Sequence, residues 1–308
     1  MSMDAFVFPG QGSQFPGMGK DLADNFPSAK AVFAEANDAL GFDLAALCFN
    51  GPEEALRLTT NTQPAILTVS IAALRALEHE AGLRPGCAAG HSLGEYSALV
   101  CAGALSFADA VRIVRQRGAF MQEAVPVGTG AMAAIMGLEG EALDEVCRQA
   151  AQGEIVSPAN FNCAGQVVIA GHAGAVDRAI ELAKAKGAKR GLLLPVSAPF
   201  HCALMTPAGD RLQKVLDGVT VSPLRVPVVT NVEAAPNSDA TRVGELLVTQ
   251  VSAPVRWEES VQRMAELGVS RYVEIGPGKV LANLIKRIVK GAETANVEDT
   301  AGVRALVK

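Results

Sequence analysis

Short apolar runs alternate with longer amphipathic segments along almost the whole chain. Apolar runs bounded by Gly or Pro predict buried strands, and apolar positions recurring every three or four residues predict helices. Their alternation predicts an α/β fold with a mainly parallel sheet covered by helices on both faces. The strands expected in this part are 5–8, 87–90, 226–231 and 271–275. The expected helices are 20–40, 52–58, 65–81, 95–103, 106–123, 203–216, 242–250, 256–267 and 279–289.

The pattern changes in the middle of the chain, where the order becomes βαββαβ. This order is typical of a ferredoxin-like unit. We therefore expect a small ferredoxin-like domain at 128–197, inserted into a larger domain made of 1–127 and 198–308. The strands expected in the insert are 131–136, 155–160, 166–170 and 191–196, and its helices are 141–152 and 173–186.

One predicted strand-to-helix turn has the sequence Gly90-His91-Ser92-Leu93-Gly94. This G-x-S-x-G pattern is that of a nucleophile elbow, in which a sharp turn exposes the serine hydroxyl in front of a helix N-terminus. The pattern favours an α/β-hydrolase-like large domain. The structural alternative is that Ser92 is an ordinary N-cap serine at the start of a buried helix.

A serine nucleophile needs a base, and the chain has four histidines to supply it. His79 lies at a polar helix end, His91 is turned away from the hydroxyl by the elbow, and His172 follows a strand of the insert. His201 lies at a strand-to-helix junction of the resumed large domain, where α/β folds place their sites. His201 is therefore the predicted base.

No acid stands out as the residue that would orient this histidine. Asp239 follows a predicted strand and Glu274 lies within one, and neither has a distinctive setting. We therefore expect an amide or a backbone carbonyl in that role.

Composition narrows the classes of function. The chain has 308 residues, of which 49% are hydrophobic and 19% charged, with a net charge of −5. This acidic balance argues against nucleic-acid binding driven by bulk charge. The six cysteines contain no C-x-x-C pair, so neither a disulfide framework nor a zinc site is expected. With no transmembrane run or secretory signal expected, we predict a cytoplasmic protein that is a monomer.

Six motifs, in order, make the chain resemble the malonyl-CoA:acyl carrier protein transacylases of bacterial type II fatty-acid synthesis. The resemblance extends from about residue 4 to 290. The motifs are Phe8-Pro9-Gly10-Gln11-Gly12-Ser13-Gln14, Gly90-His91-Ser92-Leu93-Gly94-Glu95-Tyr96, Gln116-Arg117-Gly118, Asn160-Phe161-Asn162, Phe200-His201 and Glu274-Ile275-Gly276-Pro277-Gly278.

The resemblance implies an acyltransferase that moves a malonyl group from malonyl-CoA to the phosphopantetheine thiol of acyl carrier protein through a malonyl-serine intermediate. It implies no cofactor and a transient carrier-protein partner. Ser92 would be the nucleophile and His201 the base, oriented by the backbone carbonyl of Gln250. The backbone N–H groups of Gln11 and Leu93 would form the oxyanion hole.

The resemblance also assigns the substrate contacts. Arg117 would pair with the free carboxylate of malonyl, because a guanidinium binds a carboxylate with two prongs. Asn160 and Asn162 would bind the CoA or carrier arm, and Phe200 and Met121 would border the acyl group. By spacing alone, Arg117 could instead belong to a solvated basic helix face.

Two rival functions remain open at this stage. One is a stand-alone acyltransferase of a polyketide pathway, and the other is a serine hydrolase or thioesterase with water as acceptor. For the carrier protein, which is acidic in this class, a basic docking patch is expected. Its candidate residues are Lys189, Arg190, Lys286, Arg287 and Lys290.

Overall fold

The computed structural model describes residues 3–196 and 198–307. It is a mixed α/β fold with two sheets, so the predicted fold class is confirmed at this level. The strands are β1 (Met3–Phe8), β2 (Cys87–Gly90), β3 (Gly130–Met136), β4 (Val156–Cys163), β5 (Gln166–His172), β6 (Arg190–Leu193), β7 (Val228–Val229), β8 (Pro236–Asn237), β9 (Val269–Ile275) and β10 (Glu293–Val297).

Helices connect these strands and cover the sheets. Their bounds are α1 (Lys20–Asn25), α2 (Pro27–Leu40), α3 (Leu44–Asn50), α4 (Glu53–Arg57), α5 (Thr59–Ala81), α6 (Gly94–Cys101), α7 (Phe107–Glu123), α8 (Gly140–Ala151), α9 (Ala173–Ala185), α10 (Thr206–Leu216), α11 (Val243–Ser252), α12 (Trp257–Glu266), α13 (Val280–Ile288) and α14 (Thr300–Arg304). Two short 3₁₀ helices, Ala203–Met205 and Ala240–Arg242, precede α10 and α11.

The larger sheet has the strand order β10-β9-β1-β2-β7-β8. Its first five strands pair in parallel, and β8 runs antiparallel to β7. Because β1 and β2 lie at the centre, the loops after them meet at one edge of the sheet. The loop after β1, which carries Gly10-Gln11-Gly12, and the serine turn after β2 are therefore neighbours.

The smaller sheet has the order β4-β5-β3-β6, and each neighbouring pair is antiparallel. The predicted βαββαβ order of its elements is confirmed. Helices α8 and α9 pack together, and their apolar side chains join those of the sheet in a separate core. The smaller sheet contacts the segment between α11 and α12, where Asn160 of β4 forms a parallel bridge with Val255.

The longest helix, α5, is buried along most of its length and packs against α2 and α7. Its start corrects the prediction, because α5 begins at Thr59 and contains Pro64, whereas the sequence suggested a helix beginning after that proline. A proline interrupts helical hydrogen bonding, and packing of this segment against its neighbours overrides that preference. Gln63 thereby lies on a buried helix face.

Other bounds also differ from the predictions. The expected helix 20–40 is broken at Phe26, whose backbone is extended, and Pro27 starts a new helix. The expected strands 226–231 and 191–196 shrink to β7 and β6. The elements that the hydrophobic pattern missed are α3, β8, β10 and α14. Ser197, the last residue of the predicted insert, lies outside the described residues.

Among residues 3–196 and 198–307, no helix combines the length and apolarity that a membrane crossing requires.

Candidate active site

Ser92 stands on a sharp turn between β2 and α6, with a positive φ of 51°. A non-glycine residue rarely adopts this conformation. The flanking glycines permit it, because a Cβ on Gly90 would lie 1.9 Å from the Gly94 carbonyl carbon. A Cβ on Gly94 would lie 2.0 Å from the Phe8 oxygen. The predicted elbow is thus a strained and closely packed turn.

His201 lies beside the serine, with its Nε2 2.7 Å from Ser92 Oγ. Its Nδ1 donates to the carbonyl oxygen of Gln250 at 2.8 Å and lies 3.2 Å from that of Ala253. Because a carbonyl only accepts, the proton is on Nδ1, and Nε2 is free to accept from the hydroxyl. The expected carbonyl partner is therefore present at hydrogen-bond distance.

The imidazole of His201 is held neutral. Burial, followed by the positive charge of Arg117, lowers the pKa of His201 to about 3. A histidine in water titrates near 6.5. At neutral pH the unprotonated Nε2 therefore faces the serine hydroxyl.

Arg117 lies on α7 and is 2% exposed, which excludes a solvated basic face. Its Nη2 donates to Ser92 Oγ at 3.1 Å and to Gln250 Oε1 at 3.0 Å, and its Nη1 donates to Gln63 Oε1 at 2.8 Å. Burial lowers the pKa of the guanidinium. These three acceptors are uncharged, so the arginine carries a positive charge into the pocket without a carboxylate bonded to it.

An amide network surrounds the elbow. The sequence analysis named only the backbone carbonyl of Gln250, and neither its side chain nor Asn231. Asn231 Oδ1 accepts the Ser92 backbone N–H at 2.7 Å, and Asn231 Nδ2 donates to Gly90 O at 2.7 Å. Gln250 Nε2 donates to Ser92 O at 3.0 Å and to Glu95 Oε2 at 2.7 Å. The backbone around Ser92 is therefore held on both sides by amide side chains.

The pocket beside Ser92 has a volume of about 100 Å³. Gln11 and Leu93 lie in its wall, and within the described ranges neither of their backbone N–H groups donates a hydrogen bond. The Gln11 side chain is held by Thr59 Oγ1 at 3.2 Å. The remaining wall residues are Gln63, His91, Arg117, Met121, Met132, Asn160, Leu194, Val196, Phe200 and His201.

A second cavity of about 260 Å³ adjoins the first, and Gln11, His91, Asn160 and Leu194 border both. Asn162 borders the larger one, and its Oδ1 lies 2.9 Å from His91 Nε2. Within the described part of the chain, the buried Asn160 Oδ1 accepts no hydrogen bond. The site-residue predictions for Asn160, Asn162, Phe200 and Met121 thus all fall on the walls of these cavities.

The other candidate bases and acids have their own partners away from Ser92. His79 is exposed and pairs with Glu80, and His172 Nδ1 accepts the Ile155 N–H. Asp239 caps the 3₁₀ helix that precedes α11, and Glu274 accepts two backbone N–H groups of α13. In the described part of the chain, no three His, Cys, Asp or Glu side chains are grouped where they could share a metal ion.

Comparison with known proteins identifies the family of the chain. The acyl transferase domain family matches residues 5–305. The malonyl CoA-acyl carrier protein transacylase of Escherichia coli is 52% identical over 308 residues and covers 100% of both chains. That of Bacillus subtilis is 50% identical, covering 100% of this chain and 97% of the relative.

Solved structures extend the comparison to the fold. An acyl carrier protein S-malonyltransferase from Vibrio cholerae has a TM-score of 0.96 and 52% identity, covering 99% of this chain and 100% of that one. A malonyl-transacylase solved with a type II polyketide synthase acyl-carrier protein has a TM-score of 0.97 and 53% identity, covering 99% of each chain.

An α/β fold with a serine and a histidine at its centre and full-length similarity to transacylases defines an acyltransferase. The chain belongs to the acyl transferase domain family, within which its close relatives carry the name malonyl CoA-acyl carrier protein transacylase.

Proposed function

We propose that this acyltransferase moves a malonyl group from malonyl-CoA to the phosphopantetheine thiol of acyl carrier protein, supplying fatty-acid synthesis. The observation that carries the proposal is the buried Arg117. Its guanidinium donates to three uncharged oxygens, one of which is the Ser92 hydroxyl. A malonyl group brings a carboxylate that this cation can bind with two prongs. Relatives named for the same reaction support the assignment.

In the first half-reaction, Ser92 Oγ attacks the thioester carbonyl carbon of malonyl-CoA while His201 Nε2 takes the hydroxyl proton. The carbonyl oxygen becomes an oxyanion and accepts from the backbone N–H groups of Leu93 and Gln11. When this intermediate collapses, the carbon–sulfur bond breaks. The CoA thiolate takes the proton from His201, which leaves a malonyl ester on Ser92.

The second half-reaction reverses these roles. The carrier thiol gives its proton to His201 and attacks the ester, and the Ser92 alkoxide leaves and recovers the proton. Pairing of the malonyl carboxylate with Arg117 offsets the charge that helps to lower the His201 pKa. His201 therefore becomes a stronger base once malonyl is bound.

The size of the pocket supports a small acyl group. Its volume of about 100 Å³ suits an acyl group of a few heavy atoms. A long fatty chain does not fit in that space, which disfavours a lipase. Phe200 and Met121, both buried, would border the malonyl methylene and oppose a methyl branch.

The adjoining cavity of about 260 Å³ would receive the pantetheine arm shared by CoA and the carrier protein. The arm contains amide groups, and the free Asn160 Oδ1 would accept one of their N–H groups. Asn162 would act through His91, to which it is hydrogen-bonded. No cofactor is needed for this chemistry.

The architecture belongs to the same proposal. We assign residues 1–127 and 198–308 to an α/β-hydrolase-like domain and 128–197 to a ferredoxin-like domain. The parallel sheet with its elbow after β2 supports the first assignment, and the antiparallel order β4-β5-β3-β6 supports the second. We further propose a cytoplasmic location, in keeping with six free, buried cysteines, and a monomeric state.

The test is the mass of the protein after incubation with malonyl-CoA, with acetyl-CoA and methylmalonyl-CoA as competitors. We expect a stable malonyl adduct that is absent in Ser92→Ala and is discharged by carrier protein. Rapid release of malonate without an adduct would instead establish a hydrolase. Discharge by a polyketide carrier protein but not by a fatty-acid one would place the enzyme in a polyketide pathway.

A further inference from the structure

We infer that Glu95 is a positioning residue for the acyl transfer proposed above, and the inference rests on that proposal. Its buried carboxylate orients the Gln250 and Asn231 amides, and these in turn hold the nucleophile and contact the base. Glu95 lies in the first turn of α6, three residues after Ser92. Glu95 thus supplies a carboxylate to a serine–histidine pair that has no acid of its own. It acts through the two amides and does not contact His201.

The contacts of Glu95 converge on one oxygen. Oε2 accepts from Gln250 Nε2 at 2.7 Å and from the Asn231 backbone N–H at 3.0 Å. Glu95 is 2% exposed, and burial raises its pKa to about 7. It forms no ion pair within the described residues. A carboxyl group is costly to bury, so one held between two amide donors calls for a role.

Glu95 and Arg117 bind opposite ends of the Gln250 side-chain amide. The two ends of a glutamine amide have nearly the same shape, so hydrogen bonding alone selects the orientation. Arg117 is only a donor and requires Oε1, whereas an ionised Glu95 is only an acceptor and requires Nε2. Without the carboxylate, Nε2 loses its charged acceptor, and only Arg117 and the Ser92 backbone oxygen still hold the amide in this orientation.

Correct orientation of Gln250 has consequences at Ser92 and His201. Nε2 also donates to Ser92 O, and the backbone oxygen of the same residue accepts from His201 Nδ1. Asn231, held to Glu95 by its N–H, clamps the backbone of Gly90 and Ser92. A strained turn such as this persists only when its surroundings hold it.

The experiment compares Glu95→Gln, which keeps an acceptor oxygen, with Glu95→Leu, which removes it. One readout is the rate of Ser92 acylation by saturating malonyl-CoA. The other is labelling by a fluorophosphonate, which needs the nucleophile and base but no malonyl group. We expect Glu95→Leu to slow both by about 100-fold, and Glu95→Gln to restore both to within about fivefold of the unaltered enzyme.

Glu274 offers a matched control, since it is another buried carboxylate that accepts two N–H groups, at α13. Glu274→Gln and Glu274→Leu should change the unfolding temperature but not fluorophosphonate labelling. A folded Glu95→Leu enzyme that labels at the unaltered rate overturns the inference. So does a folded Glu95→Gln enzyme as slow as Glu95→Leu.

If Glu95→Leu does not fold, Gln250→Met provides the test. It deletes the Gln250–Glu95 bond from the other end, together with the amide's bonds to Arg117 and Ser92 O, and leaves the backbone oxygen for His201. Its labelling must fall by about 10-fold or more, and an unchanged rate overturns the inference. If the unaltered protein takes the fluorophosphonate but no malonyl group, the proposed function fails and the role of Glu95 is still decided.

Discussion

His201 Nδ1 lies 2.8 Å from the Gln250 carbonyl oxygen, so the base is oriented by the main chain and not by an acid. A carbonyl fixes the tautomer as a carboxylate would, but it adds no full negative charge to stabilise an imidazolium. The proton held by His201 during the reaction is therefore readily given up to a thiolate. The arrangement suits an enzyme whose leaving group and acceptor are both thiols.

Replacing Arg117 should separate malonyl transfer from acetyl transfer. In Arg117→Ala, kcat/KM for malonyl-CoA should fall about 100-fold or more, because two charged hydrogen bonds of about 1.5–3 kcal/mol each are lost. Acetyl transfer should persist or rise, since acetyl has no carboxylate. Arg115→Ala, on the same helix but with its guanidinium on Asn61, is the matched control. Equal loss with both thioesters would refute the pairing.

The pH profile of Ser92 acylation should show no fall in rate near pH 6.5 from protonation of a histidine. The His201 pKa lies near 3, lowered by burial and by Arg117, so the base stays unprotonated from about pH 5 to 8. Activity lost to His201 protonation should appear only as the pH falls toward 3. The measurement is kcat/KM for malonyl-CoA against pH.

Burial raises the pKa of the Glu95 carboxyl group to about 7, so this group titrates near neutrality. The pH dependence of kcat/KM must therefore be measured for Glu95→Gln as well. Any limb that disappears in Glu95→Gln belongs to Glu95. An apparent pKa between 6 and 7 that survives in Glu95→Gln would contradict the buried, neutral His201.

If the backbone N–H of Gln11 belongs to the oxyanion hole, two substitutions of Gln11 should lower the rate to very different extents. Gln11→Pro removes the backbone N–H and should lower kcat by about 100- to 1,000-fold. Gln11→Ala keeps that N–H and loses only the side-chain bond to Thr59, so its rate should stay within about tenfold. Similar rates for the two folded variants would exclude Gln11 from the oxyanion hole.

Charge reversal should weaken use of the carrier protein without affecting CoA. All five predicted basic residues are exposed. Arg287 donates to Gln166 on the wall of the larger cavity. Gln166 on β5 and Arg190 on β6 both pair with Met136 of the strand between them, which places Arg190 about 10 Å from Gln166 across the sheet. This cluster could steer an acidic partner toward that cavity.

The double variant Arg190→Glu with Arg287→Glu should raise the KM for carrier protein about tenfold at low salt, and less at high salt. Acylation by malonyl-CoA should not change. Lys30→Glu, on a helix that packs on α5 and α7, is the control for a charge reversal elsewhere on the surface. Unchanged carrier-protein kinetics in the double variant would rule out this patch.

The order of elements and the positions of Ser92 and His201 were predictable because local patterns determine them. The elbow is a contiguous motif, and His201 follows from its place at a strand end. The Gln250 carbonyl was available only from family resemblance, since no side-chain pattern marks a backbone oxygen. Asn231 ends a predicted strand and could have been found by the rule that selected His201.

Glu95 and Gln63 were missed for different physical reasons. Glu95 stands in the first turn of a helix, where an acid is ordinary, and only burial distinguishes it. Gln63 was placed before a helix because of the adjacent Pro64, whereas tertiary packing extends α5 through it. Both depend on contacts with distant segments, which hydrophobic periodicity does not report.

The groups around Ser92 come from widely separated positions, including Arg117 on α7, His201 before α10, Asn231 after β7 and Gln250 on α11. On the ribosome, the serine emerges long before its base and about 160 residues before the carbonyl that orients that base. A nascent or prematurely terminated chain can thus carry the serine without its base or the carbonyl that orients it. The arrangement of Ser92, His201 and the Gln250 carbonyl can therefore form only after residue 250 has been synthesised.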